Sequence, residues 1–160
     1  MGDMRELAER VARAWREAGA EPRHGVDARA LDDFRLHNGV SIPEELAAFY
    51  RVTNGIESDA NMFAVWGLGE IRRAPEALGD FRGAPDYGEI ANTLPDANTY
   101  FVFADWMIWS HVFAVKAPAA EGGVLGPVVW ICSSEHGVVA PTLADFWERY
   151  LVDPEDAVIV

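Results

Sequence analysis

Apolar residues recur at helical spacing at the start of the chain. Met4, Leu7, Val11, Trp15 and Ala18 fall on one face, and most of the arginines and glutamates fall on the others. The pattern predicts an amphipathic helix capped by Asp3 and closed at Gly19. After a loop with Pro22 and Gly25, Asp27 can cap a short second helix through Leu31 and Phe34, which Asn38-Gly39 ends. Ser41-Ile42-Pro43-Glu44 reads as a third helix start. Ser41 can accept a backbone N–H bond while Glu44 reaches back, and Pro43 in the first turn loses no needed donor. Ile42, Leu46, Phe49 and Tyr50 then share a face, and Asn54-Gly55 tolerates the left-handed backbone of a helix stop.

From Met62 the period changes from helical to extended. Met62 to Trp66 reads as a strand of simple core, followed by Gly67-Leu68-Gly69 and a helical turn from Glu70. Residues 79–99 carry three glycines and two prolines with little periodicity, and are expected to form a long surface connection. Tyr100 to Ala104 and Val112 to Lys116 are strand-like with a turn from Asp105 to His111, and Pro127 to Cys132 and Gly137 to Ala140 add two more strands. A last helix starts from the capping pair Thr142 and Asp145 and carries the stripe Leu143, Phe146, Trp147, Tyr150 and Leu151. The expected fold is α+β. One layered domain spans residues 1–160, with a mainly antiparallel sheet packed by N-terminal, middle and C-terminal helices.

Composition narrows the function classes. Half the residues are apolar, so an ordered core is expected, and the single cysteine, Cys132, rules out an intrachain disulfide. The first residues run into a charged helical pattern without an apolar signal core. The longest apolar stretch, Tyr100 to Val115, is interrupted by Asp105, Ser110 and His111, so a cytoplasmic protein with no membrane span is expected. The net charge is −13. Residues 101–160 hold eight acids against Lys116 and Arg149 alone. Such a surface repels phosphate backbones and anionic lipid, which argues against nucleic acid and for a basic protein partner.

Two segments together resemble the SUKH superfamily, in the branch that includes the yeast Smi/Knr cell-wall-assembly regulator. The first, Val40-Ser41-Ile42-Pro43-Glu44-Glu45-Leu46-Ala47-Ala48-Phe49-Tyr50-Arg51-Val52-Thr53-Asn54-Gly55, is similar to the family's leucine-proline helix followed by Phe-Tyr and Asn-Gly, with Ile42 at the usual leucine. The second is the order Phe101-Val102-Phe103-Ala104-Asp105-Trp106, Val112-Phe113-Ala114-Val115, Val128-Val129-Trp130 and Leu143 to Leu151. The resemblance covers roughly residues 28–152. It implies binding of another protein, as in bacterial immunity proteins that neutralise toxins, and it supplies no catalytic residues.

Candidate chemistry is sparse. Cys132 and His136 could be sketched as a thiol and its base, but the neighbouring Glu135 is the wrong charge to stabilise a thiolate. A zinc site from Cys132, His136 and His111 lacks paired ligand spacing, and Asp32-Asp33 and Glu44-Glu45 are adjacent residues that point apart on a helix. No catalytic residue, metal or cofactor is therefore expected. Trp106-Met107-Ile108-Trp109 stands out as an apolar run at a hairpin bend, either folded back as core or anchoring a partner. The reading is a non-enzymatic protein-binding domain, an immunity protein that occludes a basic, nuclease-type toxin. A regulatory scaffold, or an enzyme using Cys132 or a carboxylate pair, are the alternatives. The expected contact residues are the anchors Trp106 and Trp109 and the acids Asp105, Glu121, Glu135, Asp153, Glu155 and Asp156.

Overall fold

A computed structural model describes residues 3–79, 86–120 and 122–158. Helix α1 (Met4–Glu17) is capped by Asp3, whose side chain accepts from the Arg5 amide. Helix α2 (Ala28–Asn38) is capped by Asp27 and closed by left-handed Gly39, as the sequence predicts. Helix α3 (Glu44–Val52) departs from its expected start. Pro43 is the N-cap with extended backbone and no side-chain cap, and Glu44 pairs forward with Arg51 at 2.8 Å. A residue before proline is driven out of the helical region, so Ile42 cannot enter the first turn and Ser41 lies too far back to cap it.

Six strands form one antiparallel sheet among the described residues: β1 (Phe63–Val65), β2 (Arg72–Arg73), β3 (Tyr100–Trp106), β4 (His111–Lys116), β5 (Val128–Cys132) and β6 (Glu135–Ala140). The order is β1-β3-β4-β5-β6, with β2 pairing β3 as well. Helices α4 (Ala74–Gly79) and α5 (Ile90–Thr93) lie between β2 and β3, and α6 (Leu143–Val152) and α7 (Pro154–Val158) close the chain. The α+β fold expected from the sequence is the one observed.

Two apolar layers sandwich the sheet. On the first face, Trp15 of α1, Phe49 and Tyr50 of α3, and Phe146, Trp147 and Tyr150 of α6 pack with Phe63, Phe101, Phe103 and Phe113. The α3 and α6 stripes therefore share one side of the sheet, and Phe49 stacks on Trp147 at 4.8 Å. On the second face, Leu78, Tyr87, Ile90, Leu94 and Ala97 cover Val102, Val112, Ala114, Val129 and Ile131.

That second layer corrects the expectation of an exposed connection over residues 79–99. Residues 80–85 lie outside the described residues, but Tyr87, Ile90, Leu94 and Ala97 are buried. Their spacing of three, four and three is helical. Gly88 and Pro95 mask it, because they cut the segment into one helical turn and a 3-10 turn (Ala97–Thr99).

A bulge in β3 decides which residues face which layer. Val102 pairs with Ala114, but Ala104 pairs with Phe113, so Phe103 is the extra residue. Strict alternation would place residue 105 with Phe101 and Phe103. The bulge reverses the parity beyond Phe103, and Asp105 emerges opposite Ala64 and Val112 toward the second layer.

Candidate functional site

Two turns meet at one end of the sheet. The turn before β1 is organised by Asp59, whose Oδ1 accepts from the Asn61 and Phe63 amides. Its Oδ2 accepts from the Tyr150 hydroxyl, which in turn accepts from the Trp15 indole at 2.8 Å. This chain of bonds ties α1 and α6 to the turn. Beside it runs the β3–β4 hairpin tip: the Met107 amide donates to the Met62 carbonyl, and the Trp106 indole donates to the Asn61 carbonyl.

The tip backbone is unusual. Met107, Ile108 and Trp109 have φ of 50°, 52° and 68°, and Met62 has 62°. Three successive L-residues in the left-handed region are costly, and a β-branched residue there is an outlier. The conformation is held from inside. Tyr87 donates its hydroxyl to the Trp109 carbonyl at 2.8 Å, and Asp105 Oδ1 accepts from the Trp109 amide at 3.3 Å. In consequence Ile108 projects to solvent at 79% exposure, with Met62 at 46% and Met107 at 45%. The expected anchors Trp106 and Trp109 are themselves half-buried. Trp106 packs against the first-face core, and Trp109 lies on Trp66 in the second, ring centroids 5.1 Å apart.

Asp105 was expected in the turn as a rim charge. Instead it is a strand residue, 7% exposed, whose Oδ2 accepts from the Trp66 indole at 2.7 Å. Burial pushes its carboxyl above the usual carboxylate range, opposed by the two N–H donors from Trp66 and Trp109. It lines a cleft of about 420 Å³ with Trp66, Trp109, Ala64, Glu57, Glu70, Arg23 and Arg72.

The raised pKa fixes the sign of a pH effect. The native state holds the Asp105 proton more tightly than the unfolded chain does. The group's contribution is therefore fully present below the ordinary carboxylate pKa of 3.8 and is lost as pH rises through the raised value. Asp105→Asn is expected to gain stability relative to the parent across that rise and to hold a constant difference above it. Urea denaturation at a series of pH values measures this, and a difference that shrinks with rising pH would contradict it.

The other expected acids lie elsewhere. Glu135 is exposed at the start of β6 opposite Cys132. Asp153 caps the α6–α7 junction by accepting from the Glu155 and Asp156 amides, and Asp156 accepts from Arg149 at 3.0 Å. Ala157 and Val158 pack into the first-face core, and none of the residues of this acidic junction lines the cleft. Glu121 lies outside the described residues. Among the described residues, the expected acids Glu135, Asp153, Glu155 and Asp156 do not line the cleft with Asp105.

Cys132 is half-buried, His136 is held by the Thr93 carbonyl at 3.2 Å, and His111 lies between the Trp106 and Trp130 rings. Burial lowers the His111 pKa. Among the described residues, no three His, Cys, Asp or Glu side chains gather as a metal-binding set. Sequence reasoning missed Trp66, Glu57, Glu70, Arg23 and Arg72 as neighbours of Asp105. The one local signal was a tryptophan closing a strand against Gly67. No protein-family model matches the chain, and no curated protein matches it significantly.

Proposed function

We propose that this chain is a non-enzymatic binding domain for a basic protein, with the hairpin tip as its apolar anchor. The observation that carries the reading is the exposed cluster Met62, Met107 and Ile108 on a backbone of four left-handed residues. Strained backbone persists where surrounding structure over-determines it, and it gathers at functional sites. Here three apolar side chains are displayed at a cost to the fold. Methionine and other large apolar groups at the centre of a contact give up water readily and adapt their shape.

The charge favours a basic partner. A net charge of −13 steers a cationic surface toward the domain and raises the association rate more than it strengthens the bound state. Occlusion of a basic toxin domain follows from this and from the SUKH resemblance, which together support an immunity protein. A bound partner without toxic activity would instead assign a regulatory role. Among the described residues no helix is long and apolar enough to cross a membrane.

Ile108→Asn tests the tip. Asparagine accepts the left-handed conformation more readily than isoleucine, and the side chain it replaces is exposed, so stability should rise by about 1 kcal/mol. Binding of the partner captured by the parent protein should weaken, chiefly through faster dissociation in surface plasmon resonance. Added salt should slow association more than it speeds dissociation. A variant that is more stable and binds equally well would remove the tip from the interface.

A further inference from the structure

We propose that the cleft beside the hairpin tip receives an arginine side chain of the partner. The inference rests on the reading of this chain as a binder of a basic protein, and it names the group that the site takes up.

The Asp105 carboxylate lies in the cleft wall behind the tip, and its two donors among the described residues, the Trp66 indole and the Trp109 amide, are both neutral. Among the described residues no cation comes within ion-pair distance of it. The two arginines of the cleft already have carboxylate partners, Glu70 inside the cleft and Glu76 outside it. Arg23 lies 3.9 Å from Glu70, and Arg72 lies 3.4 Å from Glu76 while donating to the Ile71 carbonyl. A buried carboxylate without a counter-charge is an unfavourable arrangement that an incoming cation relieves.

The remaining walls select the kind of cation. The Trp66 and Trp109 rings, inclined at 30° to each other, line the cleft together with the carboxylate, and exposed Glu57 and Glu70 line it as well. A guanidinium is planar and weakly hydrated. It can lie on an indole while its N–H fork meets a carboxylate, which a compact, strongly hydrated ammonium does less well. An anion would meet the Asp105 and Glu57 carboxylates, while the two arginines of the lining are already paired with Glu70 and Glu76, so it is disfavoured. The volume of about 420 Å³ accommodates such a side chain. Trp109 joins the two parts of the surface: its backbone belongs to the strained tip, and its ring lines the cleft. A partner seated on Ile108 and Met107 therefore has the cleft directly beside its contact.

The test uses blocked arginine, N-acetyl-arginine amide, titrated into the ¹⁵N-labelled full chain while the indole N–H signals of Trp66 and Trp109 are followed. Saturable shifts are expected, with none from the neutral isostere N-acetyl-citrulline amide. Asp105→Asn should weaken the response at least about tenfold, the scale for removing one member of a buried charge pair. If that variant does not fold, the double variant Glu57→Gln, Glu70→Gln should weaken it severalfold, with circular dichroism as the folding control. No shift, an equal response to citrulline, or indifference to the substitutions would overturn the proposal. A failed titration with Ile108-dependent partner capture intact removes the arginine socket and leaves the tip. A successful titration with capture indifferent to Ile108→Asn retains the socket and removes the tip.

Discussion

Trp147→Ala is expected to lower the stability of the domain by about 3–5 kcal/mol, the range for deleting a large buried ring. Trp147 is 1% exposed and lies at the junction of three helices and the sheet. Its ring stacks on Phe49 with an interplanar angle of 6°, and meets Trp15, Phe146 and Tyr150 edge-on at 6.2, 5.0 and 5.4 Å. Phe63 and Phe103 of the sheet complete the surround. With so many rigid rings around it, the site cannot collapse, and most of the cavity should remain. The indole N–H has no hydrogen-bond partner among the described residues. Trp147→Phe therefore removes a buried unpaired donor together with the extra ring, and should cost clearly less than Trp147→Ala. Chemical denaturation measures both. A loss below about 1 kcal/mol for the alanine variant would mean that the ring is not core.

Gly55→Ala is expected to be nearly as damaging, for a backbone reason. Gly55 has φ of +83°, and a Cβ there would stand 2.2 Å from the Val65 carbonyl oxygen and 3.0 Å from that of Trp66. Neither oxygen can retreat freely. The Val65 carbonyl accepts from the Ile56 amide, and the Trp66 carbonyl accepts from the Tyr50 hydroxyl at 2.6 Å. The left-handed conformation costs an alanine about 1–2 kcal/mol, and the overlap adds about 1–3 kcal/mol. Gly19→Ala is the control, since Gly19 has φ of +86° with nothing within 4 Å of the added Cβ. It should show the conformational cost alone. Equal losses at the two positions, read from thermal or urea unfolding, would show that close approach to β1 contributes nothing.

Gly55 and Trp147 illustrate different degrees of legibility. The Trp147 stripe could be read from spacing, and so could its place on the sheet side of α6, because a helix repeats its face within four residues. The caps at Asp3, Asp27 and Thr142 were legible for the same reason: each involves an amide two or three residues ahead. Asn54-Gly55 could be read as a helix stop. In the structure, extended Thr53 already ends α3, and Gly55 serves instead the close approach to β1. The cap expected at Ser41 failed because Pro43 imposed its own restriction on the residue before it.

What the sequence by itself determined is the set of local decisions: the helices, their buried faces, most of the strands, the α+β class and the acidic balance. These depend on neighbours a few positions apart, where periodicity and turn chemistry act. The tertiary structure alone decided the candidate site. The bulge at Phe103 has no signature in the residues 101–106, yet it turns Asp105 away from the aromatic core. Trp66 then reaches Asp105 from 39 positions away, and Tyr87 braces the hairpin tip from the segment that looked like a loose connection. The left-handed run at Met107, Ile108 and Trp109 likewise runs against the local preference of those residues. It exists because bonds from distant parts of the chain outweigh that preference, and such bonds form only when the whole domain is assembled.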